Sequence, residues 1–194
     1  MNRATNAEGT AATLALVAEH ASDVRVSVVL SLLESCSALV LAVSLYGITR
    51  DQDHELAMLA LACRVGEGVM GAISIPLKLG LLWLATAGAG APDIATVNVL
   101  GAFLLMPVPS IPIGTIFFAV GSTLFSYLLL RGRMVPVPLA WFGVLAPALL
   151  VVVLPLQLAG FLQVPWYMWI PMAVFQVALA LWLLIKGVVA PATR

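Results

Sequence analysis

Charge is what this sequence has least of. Nine basic and nine acidic residues are all that 194 positions carry, and the formal net charge is zero. An average soluble domain is about 25% charged, which would be roughly 48 residues in a chain of this length. So few charges cannot solvate a globule, which excludes a soluble enzyme. No basic excess is present to neutralise phosphates, which excludes a nucleic-acid binder. No charge-rich, apolar-poor stretch is present to hold a segment unfolded.

Cysteine and histidine are nearly absent as well. Cys36 and Cys63 both sit inside apolar stretches, so no structural disulfide and no metal-ligand spacing is expected. The two histidines, His20 and His54, fall on opposite sides of the membrane in the topology below. They are not expected to share a haem or a zinc ion, or to reach a buried serine. Gly66, Gly68 and Gly71 lie within an apolar run and follow no strand. They indicate close helix approach rather than phosphate binding. No cofactor and no metal is implied.

What is present is apolar: 62% of residues are hydrophobic, and the mean hydropathy is +1.11. The expected class is all-α, a single multi-pass transmembrane helical bundle. Five spans are expected, at 26–48, 56–85, 113–130, 137–160 and 166–189. A span needs about 20 apolar residues. The second stretch is longer, about 45 Å at ~1.5 Å per residue, so it must project, tilt or kink, and Pro76 is the candidate kink. The run 94–106 is too short to cross and meets Pro107, Pro109 and Pro112. It reads as a non-spanning or re-entrant piece. Residues 1–25 form an N-terminal segment that does not read as a signal peptide, because Glu8, Glu19 and Asp23 interrupt it. Residues 190–194 form a tail. Trp166, Tyr167 and Trp169 suit a membrane–water interface.

With five spans, Arg50, Arg131, Arg133, Lys186 and Arg194 share one side, and Arg3 and Arg25 share the other. The positive-inside rule then puts the C-terminus in the cytoplasm and the N-terminal segment outside.

The second stretch carries the clearest pattern. Ala57, Ala60, Arg64, Glu67, Gly71, Ser74 and Lys78 are spaced 3, 4, 3, 4, 3, 4, which makes one helical stripe of small, polar and charged residues. A charge near the bilayer centre costs about 2.5–3.5 kcal/mol on insertion scales. The stripe is therefore expected to face inward, with Arg64 and Glu67 joined or shared with another helix. Three readings stay open: a polar pocket for a ligand, ion or lipid head group, an ion pair that fixes helix packing, or a pair lying at the cytoplasmic interface because the helix projects.

The first span offers a matching face of Ser27, Ser31, Glu34, Ser35, Ala38 and Ala42. Glu34 could meet Arg64 or Lys78, and the same small residues also suit plain helix packing. Gln157, Gln163 and Gln176 are the amides of the last two spans, and Gln176 is the deepest. The candidate ligand-binding residues are Arg64, Glu67, Glu34, Lys78, Ser74 and Gln176. The expected partners are the lipid bilayer, a lipid or small-molecule ligand, and a second copy of the chain.

The order of these pieces also resembles a family. Ser44-Leu45-Tyr46, Leu56-Ala57 and Cys63-Arg64-Val65-Gly66-Glu67 resemble the "LY … LA … R-x-x-E" core of the bacterial domain-of-unknown-function 4386 family. Ser126-Tyr127-Leu128 through Arg133-Met134-Val135-Pro136 is similar to its "gYLl-rS-x-x-P" turn, and Leu179 to Gly187 to its "lalWLlvKG" ending. The resemblance covers 11–189 and implies an uncharacterised multi-pass protein of the bacterial inner membrane. It supplies no reaction. It implies one further apolar helix at the start, so this chain is expected to be shortened or to start late. It also implies a glutamate where this chain has Gln176.

Three functions are consistent with these observations. The leading one is a non-enzymatic membrane protein with a small polar intramembrane site. The others are a transport or channel subunit acting as an oligomer, and an intramembrane enzyme with Glu34 or Glu67 as acid or base. No placed nucleophile, histidine or metal supports the last.

Overall fold

A computed structural model describes residues 9–87, 93–105 and 113–187. Seven α-helices occur among them: α1 Thr10–Glu19, α2 Ala21–Thr49, α3 His54–Thr86, α4 Ile94–Leu104, α5 Ile113–Arg131, α6 Val137–Leu158 and α7 Ile170–Lys186. A 3₁₀ turn over Trp166–Trp169 leads into α7. Five helical stretches are long and apolar enough to cross a membrane: α2, α3, α5, α6 and Trp166–Lys186. The all-helical class and the five spans are those the composition and run lengths imply. Residues 88–92, Pro107, Pro109, Pro112, Arg3, Arg194 and the 190–194 tail lie outside the described residues.

Each helix end has a local cause. Asp53 caps α3: its Oδ1 accepts the Leu56 amide at 3.2 Å. Asp93 caps α4, accepting the Thr96 amide at 3.0 Å and the Thr96 hydroxyl at 2.6 Å. A carboxylate here satisfies amides that the first helical turn leaves without partners. These bonds hold both carboxyls below their ordinary value; for Asp53 the Leu56 amide acts first and Arg131 adds to it, and for Asp93 the Thr96 hydroxyl acts first, then its amide.

α5 ends in a Schellman motif. The Met134 amide reaches back to the Leu129 carbonyl, and the Arg133 amide to that of Leu130. The motif needs a left-handed residue at its corner, and Arg133 supplies it with φ 51°. α6 ends the same way, with Phe161 bonded to Leu156 and Gly160 to Gln157; there the corner is a glycine at φ 80°. Pro76 lies inside α3, and Pro147 and Pro155 lie inside α6, without ending either helix.

The chain divides into two compact units. The first comprises Met1–Cys36 and Val69–Val108, the second Ser37–Gly68 and Pro109–Arg194. α2 and α3 each contribute one part to each unit.

In the first unit α1 lies in the N-terminal segment, which has no apolar run of spanning length. It forms all the same and buries Thr13, Leu14 and Val17. Its packing supplies what length does not. Gly101 of α4 lets Thr10 and Leu14 come so close that a Cβ there would sit 2.7 Å from Thr10 Cγ2. Val17, Val24 and Leu82 form this unit's small core. α4, with 11 residues, is too short for a ~30 Å hydrocarbon core at ~1.5 Å per residue. It is the short apolar piece that the sequence marks out.

In the second unit the core is built by α5, α6 and α7 around Ala119, Leu150, Leu154, Met172 and Phe175. Leu45, Ala57, Ala60, Phe125 and Leu128 form a second cluster. At the helix ends, Arg131 Nη1 donates to Asp53 Oδ2 at 2.9 Å, tying the end of α5 to the start of α3.

Candidate functional site

Ala57, Ala60 and Arg64 occupy one face of α3, and all three are buried. The face buries them because α5 comes close at Gly121. A Cβ at 121 would lie 2.9 Å from Arg64 Cγ and 3.2 Å from the Ala60 carbonyl oxygen. The missing side chain leaves room for the arginine stem between the two helices.

Only 4% of the Arg64 surface is exposed. Its Nη1 lies 2.6 Å from Glu67 Oε2, one helical turn on. That contact is a close charge pair rather than an aligned hydrogen bond. The guanidinium carbon stands 5.0 Å from the centre of the Phe118 ring, a cation–π distance. Its Nε–H has no hydrogen-bond partner among the described residues.

Arg64 lines a cavity of about 140 Å³ in the second unit. The other polar groups on its wall are Ser122 and Ser126 of α5 and Gln176 of α7. The remainder is apolar, including Leu41, Leu45, Phe125 and Phe175. Gly143 of α6 makes room for one side: a Cβ there would collide with the Phe175 ring and approach Ser126 Oγ to 2.9 Å. The wall thus presents the Arg64 side chain, two hydroxyls and an amide, and the last three both donate and accept.

The six residues singled out from the sequence divide between the units. Arg64, Glu67 and Gln176 lie in the second unit, and Arg64 and Gln176 share the cavity. Glu34, Ser74 and Lys78 lie in the first. There the Lys78 ammonium donates to Ser31 Oγ at 2.6 Å. Ser74 donates to the Gly71 carbonyl of its own helix at 2.7 Å. Glu34 is exposed. Gln163 is exposed too, while the Oε1 of Gln157 is buried without a hydrogen-bond partner among the described residues.

Sequence reasoning missed Ser122, Ser126, Phe118 and Gly121. A signal was available: residues 118, 122 and 126 recur every four positions, on one face of α5. Cys63 is buried and Cys36 exposed, and neither is in a disulfide.

No curated protein and no solved structure matches the chain. One family does, described as "Domain of unknown function (DUF4386)", over residues 2–187. That span takes in α1 to α7, the Arg64–Glu67 pair and every residue of the cavity wall, so the chain belongs to the DUF4386 family.

Proposed function

We propose that this is a non-enzymatic integral membrane protein whose Arg64 cavity binds a small ligand or a lipid group within the bilayer. One observation carries the reading: a buried arginine, its Nε–H without a partner among the described residues, whose side chain lines a cavity that also presents two serines and an amide. A buried donor left unmade costs about 1–3 kcal/mol. A membrane helix that carries such a group gains most when something else satisfies it, and an intramembrane ionisable residue is a functional group by default. Glu67 anchors the guanidinium, and Gly121 and Phe118 hold its stem and plane. In this reading Lys78, bonded to Ser31, serves the packing of the first unit, and Glu34 and Ser74 take no part in the site.

Native mass spectrometry of the detergent-extracted protein tests this. Wild type is expected to carry a stoichiometric adduct that Arg64→Ala and Ser122→Leu both lose while keeping their helix content. A bare wild-type spectrum would count against the site. The same spectrum reports whether the chain associates with copies of itself.

The distribution of basic residues supports an inner-membrane orientation with the C-terminus in the cytoplasm. Cysteines placed at Asp51 and at Phe161 are expected to react with membrane-impermeant thiol reagents from opposite sides, Phe161→Cys from outside. Reaction of both from one side would overturn the arrangement.

A further inference from the structure

Resting on the Arg64 cavity being a binding site, we infer that its ligand is an electrically neutral amphiphile. A hydrogen-bonding head of about six heavy atoms sits between Arg64, Ser122, Ser126 and Gln176, and a hydrocarbon stem leaves toward the lipid past Leu41 and Ala180.

Charge decides the first part. Among the described residues, Arg64 is the only ionisable one on the cavity wall. Its charge is already met by Glu67 at 2.6 Å. An anion entering the cavity would surrender its hydration to a neutral pair, and a cation would face the guanidinium itself. Burying an unpaired charge costs far more than burying a hydroxyl or an amide that finds partners. A neutral head with an acceptor oxygen meets the two hydroxyls and the amide, which adapt to it as donors or acceptors beside the Arg64 side chain. An alcohol, an ester carbonyl or a carboxamide meets that description.

Size and depth decide the rest. An apolar cavity of about 150 Å³ holds a benzene molecule, so 140 Å³ takes a head of that size and no more. The two serines lie deep, Ser126 at 2% and Ser122 at 9% exposed, beside the equally buried Phe125 and Phe175, while Gln176 is half-buried. The wall residues that reach the surface are apolar, Leu41 at 41% and Ala180. A ligand that is polar within and apolar at the mouth matches this gradient, and a bilayer supplies it laterally. The same chemistry is found in the neutral head of a membrane lipid and in a free hydrophobic alcohol or amide.

The test uses the full chain in phosphatidylcholine nanodiscs and three diazirine-bearing probes of equal length: an octanol, an octanoate and an octylamine. Cross-links are mapped by peptide mass. The octanol probe is expected to label cavity-wall residues of α2 or α7 saturably, at least tenfold more than either charged probe. Ala180→Phe, which fills the mouth, is expected to remove that labelling. Leu41→Trp fills it from the other side and serves if the first variant does not fold. Competition by dioleoylglycerol but not by butanamide assigns the site to a lipid, and the reverse to a free solute. Equal or stronger labelling by octanoate or octylamine overturns the neutral class and leaves the binding site standing. Labelling by no probe above the level of the filled variants removes the site itself, and this inference with it.

Discussion

Gly121 of α5 stands against the stem of Arg64 so closely that a single added methyl would lie 2.9 Å from Cγ and 3.0 Å from Cδ. The arginine keeps its place because this position has no side chain. Gly121→Ala is therefore expected to lower stability by about 1–3 kcal/mol, the usual cost of overpacking. It is also expected to abolish the native-spectrum adduct. Gly66→Ala is the control. There a Cβ would meet only the Phe117 ring at 3.5 Å, ordinary contact, and replacing a mid-helix glycine gains about 0.5–1 kcal/mol. Thermal unfolding in detergent is expected to separate the two variants in sign.

The Arg64–Glu67 pair makes a different prediction. Removing one partner of a buried pair costs about 3–5 kcal/mol, because a charge is left behind. Replacing both with apolar residues of similar volume is often neutral. Arg64→Met and Glu67→Leu are each expected to unfold well below wild type, and the double variant is expected to recover most of the loss. A packing role ends there. A binding role predicts in addition that the recovered double variant carries no adduct. A stable double variant that still holds it would remove Arg64 from the site.

How far the sequence reaches is visible in these same residues. Two opposite charges at i and i+3 within an apolar run announce themselves, and their separation fixes that they can meet. Gln176 stands out for the same reason, as an amide deep in a span. Long apolar runs make the five crossing helices legible, since run length alone decides them. Ser122 and Ser126 do not stand out, because hydroxyls in spans are common packing residues. They gain meaning only through Gly121, which brings α5 against Arg64. The stripe on α3 is continuous as a helix face, yet its first four residues lie in one compact unit and Gly71, Ser74 and Lys78 in the other. Periodicity gives a face but not its neighbours. α1 was missed because its stabilisation comes from contact with Gly101 of α4, a relation across nearly ninety residues.

The corner of the α5–α6 turn is strained where that of α6 is not. Arg133 adopts φ 51° in a motif that ordinarily uses glycine, and the left-handed conformation costs a side-chain-bearing residue about 1–2 kcal/mol. Glycine loses more chain entropy on folding, which offsets part of this. Arg133→Gly is expected to raise stability by up to about 1 kcal/mol, and Gly160→Ala, at φ 80°, to lower it by a similar amount. Unfolding curves of the two variants check the sign. A destabilised Arg133→Gly would mean that the arginine makes a compensating contact at the membrane surface.

Asp53 joins the start of α3 to the end of α5, and its charge gives that junction a pH dependence. Its carboxyl is held below its ordinary value of 3.8, by the Leu56 amide first and by Arg131 beside it. The folded state therefore binds this proton less readily than the unfolded chain does. The stabilisation is complete above the ordinary value and is lost as pH falls through the lower, folded one. Comparing wild type with Asp53→Asn isolates the charge, because asparagine can still cap the helix. The gap in unfolding temperature is expected to be constant well above the ordinary value of 3.8 and to close as pH falls below it. It is expected to shrink with added salt, since the pair with Arg131 is solvent-exposed. Asp53→Ala is expected to keep part of its gap at the acid end, because a protonated carboxyl still accepts the Leu56 amide and a methyl cannot. A wild-type advantage over Asp53→Asn that persists unchanged to the lowest pH would show that the junction does not depend on the ionised carboxylate.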